Sequence, residues 1–248
     1  MPYAQVVSAY KRYKVSVNVN SVPDSPTMFS RRVFELLACG TAVISSYSIG
    51  IEQLLGADVV LMSDSEETTR ALLEKVLSND TYREQLCLRG LRKVFGEHTY
   101  TQRLQTILDA AGLARPAVGQ PTLTMIAAVA NAQEAAGAWE NYRRQSYPRK
   151  RLLLCATDAA SVRDVERLTG GDRSVSVQVA AGAHWGRALS AAVGAASEYV
   201  VALHPQHHYG PHFLTDYAHA TLYVTEPAIG KASYFQSQDP DGLKVIGA

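Results

Sequence analysis

The stretch from Ser25 to Ser46 constrains the chain most, because it encodes a helix, a stop and a buried strand in immediate succession. Ser25 followed by Pro26 reads as a helix start, with an N-cap oxygen and then a residue whose missing N–H is not needed there. Val33, Leu36 and Leu37 recur at helical spacing, and Gly40 supplies a left-handed stop. Ala42 to Ser46 then reads as a short buried strand. Arg31 and Glu35 stand four apart and share one helix face near its positive end. Free N–H groups, Arg31, Arg32 and a carboxylate suit a nucleoside diphosphate, with phosphates on the helix end and ribose hydroxyls on the acid. An i,i+4 ion pair on an amphipathic helix uses the same two residues, and spacing alone leaves both readings open.

Short apolar runs alternate with amphipathic stretches along the rest of the chain. The pattern predicts a helix over Val6 to Tyr13, a strand over Val15 to Val19, and a ligand-accessible loop over Ser21 to Ser25. A short helix follows Ile49, a buried strand covers Asp58 to Met62, and Asp64 caps a helix from Glu66 to Leu77. Asn79-Asp80 caps the next helix, Tyr82 to Phe95, and His98-Thr99-Tyr100 precedes a last one through Leu108. Two prolines and a glycine between Ala114 and Thr122 mark a linker. The pattern then restarts, with strands over Leu123–Ala130, Leu152–Ala156, Val175–Val179 and Tyr199–Leu203. Helices lie at Ala135–Gln145, Val162–Leu168 and, rich in small residues, Gly186–Ala196. This alternation predicts an α/β fold: two Rossmann-like three-layer α/β/α units with mainly parallel sheets, over 1–113 and 123–248.

At 248 residues, 47% hydrophobic and 19% charged, the chain suits two modest globular units. Its net charge of +1 gives no basic face for nucleic acid. No apolar run approaches the roughly eighteen residues of a membrane helix, and the start lacks the layout of a signal peptide. Cys39, Cys87 and Cys155 are dispersed and odd in number, which implies reduced thiols in a cytoplasmic setting.

Arg-Arg-Val-Phe-Glu-Leu-Leu-Ala-Cys-Gly-Thr-Ala-Val-Ile, from Arg31 to Ile44, resembles the donor-binding helix and following strand of GT-B glycosyltransferases related to spore-maturation enzymes. His98-Thr99-Tyr100 with Arg103 resembles that family's closing helices, so the likeness spans residue 1 to about Gly112. It implies that Glu35 binds the ribose of a nucleotide sugar, that nearby basic residues hold the diphosphate, and that an acceptor-binding half lies before residue 1. Many retaining relatives carry a second glutamate eight residues before Glu35, where this chain has Thr27. Ser25 is counted among the substrate-binding residues with Arg31, Arg32 and Glu35.

The second half is similar to the nucleotide-binding front of GT-A, family-two-like glycosyltransferases. The likeness rests on Asn131, Gln145-x-Tyr147-Pro148, Asp158 at a strand end, Gly186-x-Ala188-Leu189, Glu198-Tyr199-Val200, Tyr209-Gly210-Pro211 and Leu214-Thr215-Asp216. It implies that Asp158 reads the nucleotide base and that Asn131 lies at the donor. As bare chemistry, an Asp after a buried strand is equally a turn former. The family also implies two carboxylates after the Tyr199–Leu203 strand, holding Mn²⁺ or Mg²⁺ against the diphosphate. This chain has His204-Pro205-Gln206-His207-His208 there, so the expectation is that the ordinary metal site is lost and that no cofactor is required. Six of the seven histidines fall after Gly182, and His204, His207 and His208 are candidates for Zn²⁺ or Ni²⁺.

Two functions follow. One is a nucleotide-sugar-dependent glycosyltransferase, or a fragment of one, using a nucleoside-diphosphate sugar and an unidentified acceptor, without nucleic acid and with self-association or an upstream domain. The other is a non-catalytic nucleotide- or glycan-binding module of a larger glycosylation protein.

Overall fold

The computed structural model describes residues 2–115, 119–156, 159–179, 186, 190, 198–238 and 242–247. The chain divides into two compact units, Met1–Ala117 and Val118–Ala248.

In the first unit three strands, β1 (Val15–Asn18), β2 (Ala42–Ser46) and β3 (Leu61–Ser63), form a parallel sheet in the order β1-β2-β3. The register sets Val17 beside Ile44 and Ile44 beside Leu61. Being central, β2 is buried on both faces, as its unbroken apolar run requires. Val43 joins a core with Val33, Leu36, Leu37, Ile51, Leu55 and Val94. Ala42 and Ile44 point the other way, against Val76 and Leu86. The flanking helices are α1 (Tyr3–Arg12), α2 (Arg32–Ala38), α3 (Ile49–Leu54), α4 (Glu66–Ser78), α5 (Asp80–Glu97) and α6 (Tyr100–Ala110).

Gly40 ends α2 with φ of 71°. Thr41 N–H returns to the Leu36 carbonyl at 3.0 Å and Gly40 N–H to the Leu37 carbonyl at 3.0 Å, a Schellman closure that feeds the chain straight into β2. The start of α2 corrects the sequence reading. Ser25 Oγ accepts Met28 N–H at 3.2 Å and closes a turn, while the helix begins seven residues later at Arg32. Phe29, half-buried against Phe34, holds the intervening segment on the core, so the early capping signal serves a loop. Smaller shifts follow the same logic of local hydrogen bonds. Ser65, not Asp64, caps α4 by accepting Thr68 N–H, and β3 starts at Leu61, after Val59 and Val60 are already buried. Helix α6 buries none of its residues, leaving Tyr100, Leu104 and Ile107 exposed.

In the second unit β4 (Leu123–Val129), β5 (Lys150–Ala156), β6 (Val175–Val179) and β7 (Tyr199–Ala202) form a parallel sheet in the order β6-β5-β4-β7. The chain moves outward from β4 to β6 and then places β7 on the far side of β4, so the direction of winding reverses between β4 and β7. Leu123, Met125, Ala127 and Val129 pack on one face with Ala135, Ala138 and Tyr142 of α7 (Ala132–Arg144), Val165 of α8 (Ala159–Thr169) and Leu214 of α9 (Phe213–Ala220). Ile126, Leu153 and Cys155 form a smaller cluster on the other face. Strands β8 (Tyr234–Gln238) and β9 (Gly242–Ile246) pair as an antiparallel hairpin. Of the small-residue helix expected over 186–196, only Gly186 and Ser190 are described, and both are helical; the rest lies outside the described residues. Two sheets, each wholly parallel, thus give the mixed α/β architecture of Rossmann-like units.

Gly137 ties α7 to the loop after β7, because a Cβ there would stand 2.5 Å from the Pro205 carbonyl oxygen. Alanine gains about 1 kcal/mol of helix propensity over glycine, whereas overpacking against backbone costs about 1–3 kcal/mol. Gly137→Ala is therefore expected to lower stability by about 1 kcal/mol net. Urea unfolding measures this, and a stabilised variant would contradict the packing.

Candidate functional site

Each parallel strand of the first unit feeds a helix whose N-terminus opens at the carboxyl edge of the sheet, where ligands of open α/β sheets bind. A cleft of about 420 Å³ lies at that edge. Asn18 at the end of β1 and Asn20 just after it line the cleft, with Ser45 and Ser46 of β2, Ser63 at the end of β3 and Asp64 following it.

One hydrogen-bond network sets this wall. Asn20 Nδ2 donates to the Ser46 carbonyl at 2.9 Å, which fixes its amide so that Oδ1 accepts from Asn18 Nδ2 at 3.1 Å. Ser45 Oγ receives Nδ2 of both asparagines, at 3.0 and 2.9 Å, and donates to the Ser46 carbonyl at 2.9 Å. Asn18 Oδ1 is then a buried acceptor without a donor among the described residues, a state that costs about 1–3 kcal/mol.

The residues singled out from the sequence lie around the entrance to α2. Arg31 Nε meets Glu35 Oε1 at 3.1 Å across one turn, and the Arg32 side chain is exposed. Neither arginine, nor Glu35, nor Ser25 is among the residues lining the cleft. Behind them Phe34 carries a second cluster. His98 packs edge-on against its ring at 5.4 Å, and the Arg103 guanidinium lies over it at 5.7 Å. Arg103 Nη2 approaches His98 Nδ1 at 3.0 Å, and His98 Nε2 approaches the Leu54 carbonyl at 3.3 Å. A guanidinium only donates, so Nδ1 accepts and the proton resides on Nε2. Burial, and then the neighbouring Arg103 charge, holds His98 below the ordinary imidazole range.

In the second unit the winding reverses between β4 and β7, the position at which ligands of open α/β sheets generally bind. Asn131 follows β4, where its side chain caps α7 by accepting Glu134 N–H at 2.9 Å. Asp158 lies outside the described residues. His204 follows β7, and its ring stacks on His207 at 4.4 Å. Among the described residues no three His, Cys, Asp or Glu side chains gather as a metal site would require. The side chains after β7 are imidazoles where a hard Mg²⁺ or Mn²⁺ would need carboxylate oxygens, so they do not fit such an ion.

Two buried polar residues build this loop: Asn141, which sequence reasoning passed over, and Gln145, which it named only as part of a turn. Asn141 Nδ2 donates to the His207 carbonyl at 2.8 Å while its Oδ1 accepts Tyr209 N–H at 3.0 Å. Gln145 Nε2 donates to the Gly210 carbonyl at 3.1 Å and its Oε1 accepts Leu214 N–H at 3.1 Å. A signal was available, since Asn141 falls on the stripe of α7 that carries Ala135, Ala138 and Tyr142, and Gln145 caps the helix four residues on. An amide at a core position must be hydrogen-bonded to something.

Residues 1–109, almost the whole of the first unit, match the model of a family described as glycosyl transferase-like. The first unit resembles a glycosyltransferase. No curated protein and no solved structure matches the chain. The glycosyl transferase-like region contains the polar cleft, the Arg31–Glu35 pair and the His98 cluster. No helix among the described residues is long and apolar enough to cross a membrane.

Two outcomes follow from this geometry. Since the folded-state pKa of His98 is depressed, the unfolded chain takes up the proton first. The stability His98 contributes is therefore present above its unfolded pKa of about 6.5 and lost as pH falls towards the folded value. His98→Gln should flatten the dependence of the unfolding midpoint on pH between about 7 and 5, and an unchanged profile would reject this assignment. In the second unit, His204→Asp combined with His207→Asp should create Mn²⁺ affinity if the end of β7 is placed as in metal-dependent transferases. A folded double variant that ignores Mn²⁺ in calorimetry would refute that placement.

Proposed function

We propose that the first unit binds a nucleoside-diphosphate sugar for glycosyl transfer. One observation supports the reading: within the glycosyl transferase-like region the Arg31–Glu35 ion pair, with Arg32 next in the chain, stands at the start of α2. Glu35 takes the ribose hydroxyls, and the two guanidiniums face the diphosphate. During transfer the bond from the sugar's anomeric carbon to the diphosphate breaks, an acceptor oxygen bonds that carbon, and the arginines stabilise the charge left on the diphosphate. The ion pair with Arg31 orients the Glu35 carboxylate in the absence of ligand. Asn131 and Asp158 are assigned to a nucleotide on the second unit, with the acceptor unassigned. The free thiols Cys39, Cys87 and Cys155 fit a reducing cytoplasm, and the exposed apolar face of α6 fits association with another domain or copy.

A second reading, a non-catalytic nucleotide- or glycan-binding module, is favoured by the imidazoles at the end of β7, where a metal-dependent transferase needs carboxylates.

Calorimetry with uridine, guanosine and thymidine diphosphate sugars tests the donor assignment. Glu35→Gln should weaken binding by about 1.5–3 kcal/mol, the range for a hydrogen bond to a charged group. Arg31→Ala and Arg32→Ala should weaken diphosphates more than bare nucleosides. A purely structural ion pair would instead cost a few tenths of a kcal/mol of stability, roughly 0.2–0.5, and leave ligands untouched. If the wild type binds no nucleotide, the donor assignment fails. Binding without turnover would select the module.

A further inference from the structure

We infer that the outer face of α6 is a self-association surface, on which a second copy of this chain lays its own α6 antiparallel across a two-fold axis. The amphipathicity of the helix is largely inverted. Gln102, Arg103 and Gln105 are half-buried with Leu108 towards the body of the first unit, while Tyr100, Leu104 and Ile107 stand 81%, 51% and 63% exposed. The inward contacts are polar. Arg103 reaches His98 Nδ1 at 3.0 Å and lies over the Phe34 ring, and Thr99 and Gln102 close a capping box. These bonds hold α6 in place without fully burying any of its residues, so its apolar side is presented ready-formed. Apolar side chains exposed in a row, on a helix fixed by other means, mark an interaction surface.

The spacing decides the partner. Tyr100, Leu104, Ile107 and Ala111 recur at intervals of four, three and four, the seam of a left-handed helix pair. An antiparallel copy, related by a two-fold axis between Gln105 and Thr106, sets Tyr100 opposite Ala111 of the second copy and Leu104 opposite its Ile107. Large then meets small at both ends and two branched aliphatic side chains meet at the centre, the arrangement in which facing helices interdigitate. A parallel copy would crowd two tyrosines at one end and leave a gap between two alanines at the other. The stripe is thus complementary to itself reversed, which a surface for a partner of unrelated sequence has no reason to be. It carries no charge, because Arg103 is turned to His98 and Asp109 is paired with Arg115 beside it. Three large side chains per copy cover about 1,000 Å² in total, below the roughly 1,200 Å² at which stable interfaces begin, so the pair forms and separates with concentration.

The test is sedimentation velocity of the full chain across a range of about 10 to 500 μM, where weak pairs assemble. The apparent mass should climb from that of one chain, 26.9 kDa, towards that of two. Leu104→Glu combined with Ile107→Glu should keep the chain monomeric throughout, with the melting temperature of the dilute protein unchanged, since both side chains are exposed. Ala111→Tyr sets tyrosine against tyrosine at both ends and should weaken association roughly ten-fold. Adding Tyr100→Ala to that variant restores large against small and should recover the wild-type affinity. A chain that stays monomeric at the highest concentration overturns the inference and leaves the face to a partner of different sequence. So does association that survives the double Glu variant, an Ala111→Tyr variant that pairs as the wild type does, or a loss that Tyr100→Ala fails to rescue. No nucleotide or sugar enters these measurements, so the donor assignment stands or falls independently of them.

Discussion

The burial of β2 on both faces is the constraint on which the first unit depends. A strand flanked by a parallel neighbour on each side has no solvent-facing side, so Ala42, Val43 and Ile44 must all be apolar and both faces must be covered by helices. Parallel pairing in turn requires every connection to cross over through a helix. Three helix N-termini are thereby delivered to one edge, and each strand exits into the same space. The Schellman closure at Gly40 sets the phase, because Ala42 follows at once and there is no slack in which β2 could slip its register.

Polar side chains buried at strand ends do the finer positioning. Asn18, Asn20 and Ser45 form a closed set whose amide orientations are dictated by the Ser46 carbonyl. In the second unit Asn141 and Gln145 play the corresponding part, with side chains that hold the backbone of the loop after β7 through four hydrogen bonds. In a low-dielectric surrounding such bonds are strong when complete and expensive when broken. They therefore define loop geometry more tightly than apolar contact could. The two networks also give the edges opposite chemistry. The first unit ends in amides, hydroxyls and carboxylates, and the second in stacked imidazoles.

His98 shows how one buried base can record its surroundings. Its ring is wedged against Phe34, its Nδ1 is committed to Arg103 and its Nε2 to the Leu54 carbonyl, so the neutral form is favoured by burial and by the adjacent positive charge together. The arrangement links α2, α3, α5 and α6 through a single side chain.

The α/β class, the strand cores at Ala42–Ser46, Leu123–Val129 and Leu152–Ala156, and the capped helices over 66–110 were legible in the sequence, because apolar periodicity and capping residues act over a few residues. The Arg31–Glu35 approach was legible too, being fixed by helical spacing. Other features waited on the tertiary structure. Ser25 and Pro26 carry a valid helix signal, yet Phe29 docks on the core and delays the helix to Arg32, a long-range contact that no local pattern contains. The reversal between β4 and β7 depends on which strand edge the chain returns to, and local sequence is silent on that. The polar cleft needed three strand ends, separated by dozens of residues, to be brought to one edge before its serines and asparagines meant more than turn formers. Local chemistry determined the elements, and only the burial of both faces of a parallel sheet decided which polar groups share a site.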